Sequence, residues 1–204
     1  MASTKSDHKW ANTDYNIHEL FKKRWSPRAF SDKRIERDML RQLFDAARWA
    51  PSSYNEQPWR FIAATKDQPK EYERLSRVMN EKNRAWATSA PLLCLTLAKN
   101  DFEKFDRPNK HALHDVGQAI SYFTIEAMRH DIYVHQMAGI LPDKAYELFH
   151  ISEHYTPVTM VAAGYIGDPE DLPENFQKME RAKRNRRSID EIVFRGKWDD
   201  PKPL

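Results

Sequence analysis

The sequence predicts an α+β fold in which a mixed β-sheet is flanked by helices. Short apolar runs typical of buried strands alternate with longer segments whose apolar residues recur at helical spacing, but the alternation is irregular. A regular doubly wound sheet is not expected. The chain has only five glycines, and no G-x-G-x-x-G loop joins a strand to a helix.

Helices are predicted over residues 37–50, 70–80, 111–130 and 142–150. Pro51 ends the first helix, and the third, the longest, is expected to be the central helix of the fold. In the second helix the buried stripe should consist of Tyr72, Leu75 and Met79.

Strands are predicted over residues 60–65, 92–98, 132–135 and 157–165. The segment 92–98 is almost continuously apolar, which is typical of a strand buried on both faces in the middle of a sheet.

Length and composition favour a single folded domain, because the 204 residues are 40% hydrophobic and 12% aromatic. Residues 1–14 are assigned to a flexible N-terminal arm, residues 15–198 to the domain and residues 199–204 to a tail. The one cysteine, Cys94, lies in an apolar run, which predicts a buried thiol and a reducing, cytoplasmic location. Charged N-terminal residues and the lack of a long apolar run predict no signal peptide and no membrane partner.

The charge balance does not by itself indicate a nucleic-acid partner, because 33 basic and 30 acidic residues leave a net charge of only +3. Positive charge nevertheless collects in residues 22–28 and in residues 181–187. Both clusters suit a small anionic ligand.

The first cluster contains Arg24, Ser26 and Arg28 at alternate positions. In an extended segment these three side chains share one side. Guanidinium groups and a hydroxyl suit a phosphate and the carbonyl edge of a ring. A solvated basic loop is the alternative interpretation.

A second polar segment, residues 50–59, separates the first helix from the first strand and contains two serines, an asparagine and a glutamine between prolines. Amide side chains both donate and accept, so they suit the mixed donor and acceptor edge of a flavin ring. A plain connecting loop is the alternative. The late basic cluster, residues 181–187, is compatible with a phosphate clamp, a nucleic-acid patch or a solvated face.

Taken in order, these segments resemble the nitroreductase family of flavoproteins. The shared pattern is an early Arg-x-Ser-x-Arg, the loop Pro-Ser-Ser-x-Asn-x-Gln-Pro-Trp at residues 51–59, and a late Arg-x-Arg before an Ile-x-Glu run. The resemblance extends over residues 17–198, and the central loop is its most specific part. It implies a domain-entwined homodimer with FMN at the subunit interface.

The resemblance also implies which residues bind the cofactor. Contacts to the FMN phosphate, ribityl chain and pyrimidine edge are expected from Arg24, Trp25, Ser26 and Arg28, with Arg184 and Arg186 completing the phosphate site. The partner subunit is expected to supply Pro51, Ser52, Ser53, Asn55 and Gln57. The segment Gln136, Met137, Ala138 and Gly139 is expected to lie against the flavin, with backbone N–H groups near N5 and close backbone approach at Gly139.

The sequence departs from the family pattern in two places, and the second departure leaves the substrate class open. Residues 130–132 read His-Asp-Ile where many members have Gly-Leu-Gly, and Ala138 stands where some members carry an acidic side chain. Asp115, in the predicted central helix, is expected to face the ring or a bound substrate.

The function implied is an FMN-dependent oxidoreductase that takes hydride from NAD(P)H and reduces a small-molecule acceptor by a ping-pong mechanism. The acceptor would be a nitroaromatic, a quinone or an enone-like compound, and no side-chain nucleophile is needed. The alternatives are a flavoprotein of the same fold with dehalogenase or flavin-destroying chemistry, and a nucleic-acid-binding module that uses residues 181–187.

A competing motif, H-x-x-E-H, stands at residues 150–154 and is typical of metalloproteases when it lies on a helix. Pro157 follows closely, so the helix is expected to end by Ile151 and the two histidines should not share a face. No metal site is therefore expected.

Overall fold

The computed structural model describes residues 9–200, so part of the N-terminal arm and most of the tail lie outside the described residues. Its helices are α1 (Glu19–Lys23), α2 (Arg37–Arg48), α3 (Pro69–Ser76), α4 (Glu81–Ala87), α5 (Ala112–Met128), α6 (Pro142–Phe149) and α7 (Glu174–Arg181). The strands are β1 (Trp59–Thr65), β2 (Leu92–Lys99), β3 (Tyr133–Met137) and β4 (Tyr155–Gly164).

The four strands form one sheet in the order β1-β2-β4-β3, and every neighbouring pair is antiparallel. The α+β class is confirmed, whereas the parallel pairing that a mixed sheet would contain does not occur among the described strands. The reason lies in the strand order. β2 and β3 point the same way, but β4 inserts between them and runs opposite to both.

β2 lies in the interior of the sheet, as its continuous apolar run predicted. Leu93 and Leu95 pack into the core on one face, and Leu92 and Cys94 pack into the core on the other. Burial raises the pKa of the Cys94 thiol, so this thiol stays protonated and unreactive.

Helices cover both faces of the sheet. On one face, α2 and α5 contribute Leu43 and Phe123 to the core. On the opposite face, α3, α4 and α6 contribute Leu75, Trp86 and Ala145. α5 has 17 residues and is the longest helix of the described chain, which confirms the prediction of a long central helix.

The helix predicted over residues 70–80 is two helices, because α3 ends at Ser76 and α4 begins at Glu81. Asn80 starts α4 as its N-cap and accepts a 2.9 Å hydrogen bond from the Asn83 N–H. Met79 leaves the helix and bridges to Ile140. The predicted stripe of Tyr72, Leu75 and Met79 is nevertheless buried.

The helices α1, α4 and α7 were not predicted as separate elements. α6 ends at Phe149, and His150 takes a left-handed conformation with φ 49°. His150 and His154 therefore do not share a helical face, as expected. Among residues 9–200, no group of three or more histidine, cysteine or acidic side chains is arranged to hold a metal ion. None of the helices in that range is long and apolar enough to cross a membrane.

Candidate functional site

A cleft of about 250 Å³ lies between the early basic segment and the chain that leaves α7. It is lined by Lys9, Arg24, Trp25, Ser26, Arg28, Met179, Ala182, Lys183, Arg184 and Arg186. Six of these residues are basic, and none of the described residues that line the cleft is acidic. Such a concentration of one charge favours an anionic ligand.

The early segment contributes Arg24, Ser26 and Arg28 to the cleft, as their alternate spacing predicted. A guanidinium N–H of Arg24 lies 3.4 Å from the Ser26 hydroxyl. Trp25 is buried against Tyr133, with ring centroids 6.2 Å apart, and its indole N–H has no hydrogen-bond partner among the described residues. An unsatisfied buried donor beside a cleft is a place where a ligand oxygen would gain a hydrogen bond.

The late basic cluster is joined to the early segment through Arg184. Its guanidinium donates to the carbonyl oxygens of Lys22, at 3.0 Å, and Arg24. The Nε of Arg184 is buried and has no partner among the described residues. Arg186 lines the same cleft, so the two motifs from opposite ends of the sequence meet in space.

The arginines of the cleft repel one another. Burial lowers the pKa of Arg24, and the charge of Arg186 lowers it further. Burial, followed by the charges of Arg24 and Arg186, has the same effect on the pKa of Arg184. Because arginine stays protonated in proteins, this repulsion would be relieved by an anion bound in the cleft.

Glu180, on α7, fixes the backbone of the early segment. Its buried carboxylate accepts hydrogen bonds from the Arg28 N–H at 2.9 and 3.0 Å and from the Ala29 N–H at 3.1 Å. The sequence analysis missed this residue. The available signal was its place four positions after Phe176 on an amphipathic helix, which puts an ionisable group on the buried face.

Lys9 was also missed, because it belongs to the segment expected to be a flexible arm. Its side chain is buried, and its ammonium donates to the carbonyl oxygens of Met179, at 3.4 Å, and Ala182. The ammonium also lies 4.9 Å from the centre of the Trp25 ring.

The polar loop at residues 51–57 lies elsewhere, and none of its residues lines the cleft of the same chain. Ser53–Asn55 form a single 3-10 turn. In this loop the φ values of Tyr54, Asn55 and Gln57 are 52–54°, although none of the three is a glycine. Non-glycine residues held in this left-handed region mark a loop whose shape the surrounding structure enforces.

Asp115 holds this loop in place. The carboxylate is buried in α5 and accepts a 3.0 Å hydrogen bond from the Ser53 N–H. The structure thus gives Asp115 a positioning role, and its direct contact to a ring or substrate stays a prediction. A buried carboxylate is more stable when a backbone donor satisfies it than when it faces an apolar ring.

An aromatic cluster of two exposed rings, Tyr54 and Phe105, and one buried ring, Phe102, borders the same loop. Tyr54 contacts Phe102 and Phe105 edge to face, with ring centroids 5.8 and 5.0 Å apart. The guanidinium of Arg107 lies 5.0–5.7 Å from all three ring centres. Through these contacts, residues 102–107 hold the loop in addition to Asp115.

The segment at the end of β3 meets the early basic segment through His135. Its ring Nδ1 donates a 2.8 Å hydrogen bond to the Pro27 carbonyl oxygen, and the ring packs on Trp86 with centroids 4.4 Å apart. Burial lowers the pKa of His135 to about 4, so the imidazole is neutral near pH 7. The neutral ring carries its proton on Nδ1, since a carbonyl oxygen only accepts.

Of the next four residues, Gln136 and Ala138 are exposed and Met137 is buried. A Cβ at Gly139 would lie 2.4 Å from the Asn80 amide nitrogen and 2.5 Å from that of Asn83. These asparagine side chains leave no room for a side chain at position 139, and the close approach of its backbone to the flavin stays a prediction.

Comparison with known proteins gives a consistent result. The model of the nitroreductase family matches residues 21–165. The chain is 28% identical to a solved oxidoreductase containing FMN, with a TM-score of 0.86 over 97% of this chain and 98% of that one. It is 25% identical to a nitroreductase family protein from Clostridium difficile 630, with a TM-score of 0.69 over 90% and 99% of the two chains.

A curated relative from Stenotrophomonas maltophilia, named as a candidate NADH dehydrogenase/NAD(P)H nitroreductase, is 25% identical over 76% of this chain and 87% of its own length. The family match covers well over half of the sequence and contains both the early basic segment and the polar loop. The chain therefore belongs to the nitroreductase family.

Proposed function

We propose that this protein is an FMN-dependent oxidoreductase that takes hydride from NAD(P)H and reduces a small-molecule acceptor. The observation that carries the proposal is the cleft lined by six basic residues, which unites the early and late arginine motifs. The FMN named for the solved relative and the NAD(P)H named for the curated relative support the choice of cofactor and reductant.

The residues of the cleft fit the phosphate end of FMN. Arg24, Arg28 and Arg186 supply charged N–H donors, and Ser26 supplies a hydroxyl. The buried Nε of Arg184 and the indole N–H of Trp25 lack partners within residues 9–200 and would each gain an acceptor from the ligand. The phosphate charge would also offset the burial, and after it the mutual repulsion, that lower the pKa values of Arg24 and Arg184.

The polar loop would complete the site of a second subunit. Its polar side chains, Ser52, Asn55 and Gln57, do not line the cleft of their own chain, so they are available to a second subunit. Pro51 and Ser53 flank these polar side chains, and the Asp115 carboxylate holds Ser53 in place. A homodimer in which each loop reaches the partner's cofactor accounts for a polar loop held in a strained conformation.

Exposed apolar residues also support the dimer. Trp49, at the end of α2, is 70% exposed, and Leu113 and Tyr122 of α5 are 58% and 46% exposed. Near the end of the chain, Ile192 and Trp198 are 59% and 85% exposed. Large apolar side chains left uncovered by their own chain are typical of a surface that another subunit covers.

Bound FMN would supply two-electron chemistry, accepting hydride from NAD(P)H and then delivering it to an acceptor on the same face in a ping-pong sequence. The protein's part is to bind and orient the partners. We assign Gln136, Met137, Ala138 and Gly139 to the segment whose backbone lies beside the ring. The hydrogen bond from His135 to Pro27 supports this assignment, because it joins β3 to the segment that lines the cleft.

The acceptor class is a nitroaromatic, a quinone or an enone-like compound, with dehalogenation as the alternative chemistry for the same site. The nucleic-acid alternative is weakened by the contacts of the late cluster. Arg184 donates to backbone carbonyl oxygens, and Arg181, although its side chain is 48% exposed, pairs with Glu170, so both are engaged in contacts within the chain.

Absorbance and composition of the purified protein test the proposal. We expect a yellow preparation with about one FMN per chain, and bleaching of the flavin absorbance when NADH or NADPH is added without oxygen. Retention of flavin at high salt would separate this function from nucleic-acid binding, which weakens steeply as salt rises. A protein that stays colourless after incubation with FMN would rule out the proposed function.

A further inference from the structure

The N-terminal arm enters the basic cleft at Lys9. This residue precedes the part of the chain matched by the family model, which begins at residue 21. Only 3% of its surface is exposed, and it lines the cleft together with Arg24, Arg28 and Arg184. A lysine is rarely buried so deeply without a partner for its charge.

The contacts of Lys9 place its ammonium at the end of α7. The carbonyl oxygens of Met179 and Ala182 belong to the last turn and the C-cap of that helix, where unpaired carbonyl groups carry partial negative charge. An ammonium carries three N–H donors, so these two acceptors leave one donor for another group. The face of Trp25 lies on the other side of the ammonium, at 4.9 Å.

We propose that Lys9 is an additional anion-binding residue, which contributes its ammonium to the binding of a phosphate monoester in the cleft. The proposal rests on the proposed function for the identity of the ligand, the terminal phosphate of FMN, but its geometry is independent of that identity. Lys9 then joins α7, Trp25 and the bound anion.

The charges around Lys9 are consistent with this role. Burial lowers the pKa of Lys9; Glu180 raises it, and the guanidinium groups of Arg28 and Arg184 lower it. Lys9 and its two cationic neighbours thus face a single carboxylate, so positive charge is in excess around the ammonium. A phosphate in the cleft would offset this excess, which favours the charged form of Lys9.

The test uses the full chain with Lys9→Met, Lys9→Arg and the control Lys178→Met. Lys178 lies on α7, and its side chain is 80% exposed, so the control removes the same charge without touching the cleft. Flavin-free protein is titrated with FMN and with riboflavin, which lacks the phosphate. In parallel, the rise in melting temperature caused by inorganic phosphate is measured for each variant.

Lys9→Met should weaken FMN binding about 10-fold or more while riboflavin binding changes little, and Lys9→Arg should retain most of the affinity. The phosphate-induced rise in melting temperature should shrink in Lys9→Met and persist in Lys178→Met. If the wild type binds no flavin, the proposed function fails, yet the phosphate titration still reports on Lys9. Equal loss of FMN and riboflavin affinity would overturn the anion role, and so would a phosphate response that Lys9→Met leaves unchanged or that the wild type lacks.

Discussion

The carboxylate of Glu180 holds the backbone of Arg28 although 152 positions separate them in the sequence. Two hydrogen bonds, at 2.9 and 3.0 Å, join the carboxylate oxygens to the Arg28 N–H, and a third joins Glu180 to the Ala29 N–H. α7 thus fixes the segment that carries the cleft's guanidinium groups. The geometry of the cleft depends on a residue that does not itself line it.

Replacing Glu180 with glutamine should therefore disturb both stability and binding. One carboxylate oxygen becomes an amide NH2 that faces the Arg28 N–H donor to donor, and the negative charge that strengthens the remaining hydrogen bonds to Arg28 and Ala29 is lost. We expect a loss of about 1–3 kcal/mol in the free energy of unfolding and roughly 10-fold weaker FMN binding. Urea unfolding and flavin titration measure the two effects, with Glu174→Gln, an exposed change on the same helix, as the control. Unchanged values in Glu180→Gln would show that the contact does not organise the cleft.

The phosphate clamp can be tested with Arg28→Ala, Arg186→Ala and the double variant. Each charge-assisted contact should contribute roughly 1.5–3 kcal/mol, so each single substitution should weaken FMN binding by about one to two orders of magnitude. Riboflavin should bind the wild type poorly and respond little to either change. Flavin fluorescence titration gives the affinities. Because both side chains would share one ligand, the double-mutant cycle should show coupling.

Equal losses of FMN and riboflavin affinity would mean that these arginines do not bind the phosphate. Arg187→Ala serves as the matched control, because Arg187 is exposed in the same basic cluster and does not line the cleft.

The half of the cleft that depends on local pattern was predictable from sequence. Arg24, Ser26 and Arg28 alternate within one extended segment, and a two-residue period needs no tertiary information to place them on one side. Glu180 and Lys9 carry no such pattern. Their roles arise only when α7 and the arm pack against the early segment, and these long-range contacts leave no local trace in the sequence.

The elements follow the same division. The helical spacing of apolar residues predicted α5, and a continuous apolar run predicted the buried strand β2. The break between α3 and α4 was missed, because Met79 continues the helical rhythm while Asn80 caps a new helix. The antiparallel pairing was missed because strand order is a property of the whole chain.

Two complementary variants test whether the polar loop completes the partner's site. Asn55→Ala should lower FMN content without unfolding the chain, and Arg24→Ala should lower it through the cleft. A heterodimer of the two should regain about one intact site, because the cleft of the first subunit would meet the intact loop of the second. Co-expression with two affinity tags isolates the heterodimer, and its flavin content is compared with both homodimers. Full flavin content in Asn55→Ala, or no recovery in the heterodimer, would contradict the interface.

The last prediction concerns pH and His135. Its pKa falls from 6.5 to about 4 in the folded chain, mainly because the ring is buried. As pH falls from 6.5 towards 4, His135 takes up a proton in the unfolded chain but not in the folded chain. The unfolded state is therefore stabilised relative to the folded state. The wild type should therefore lose roughly 2–4 kcal/mol over this interval through His135 alone.

His135→Gln removes the titration and keeps an N–H donor within reach of the Pro27 carbonyl oxygen. This variant should be less stable than the wild type at pH 7.5, since the packing on Trp86 is lost, but should lose less stability on acidification. Urea unfolding at pH 7.5 and pH 4.5 gives the two differences, with His114→Gln, an exposed change on α5, as the control. If the wild type and His135→Gln lose the same stability between the two pH values, the prediction that burial keeps His135 neutral in the folded chain is wrong.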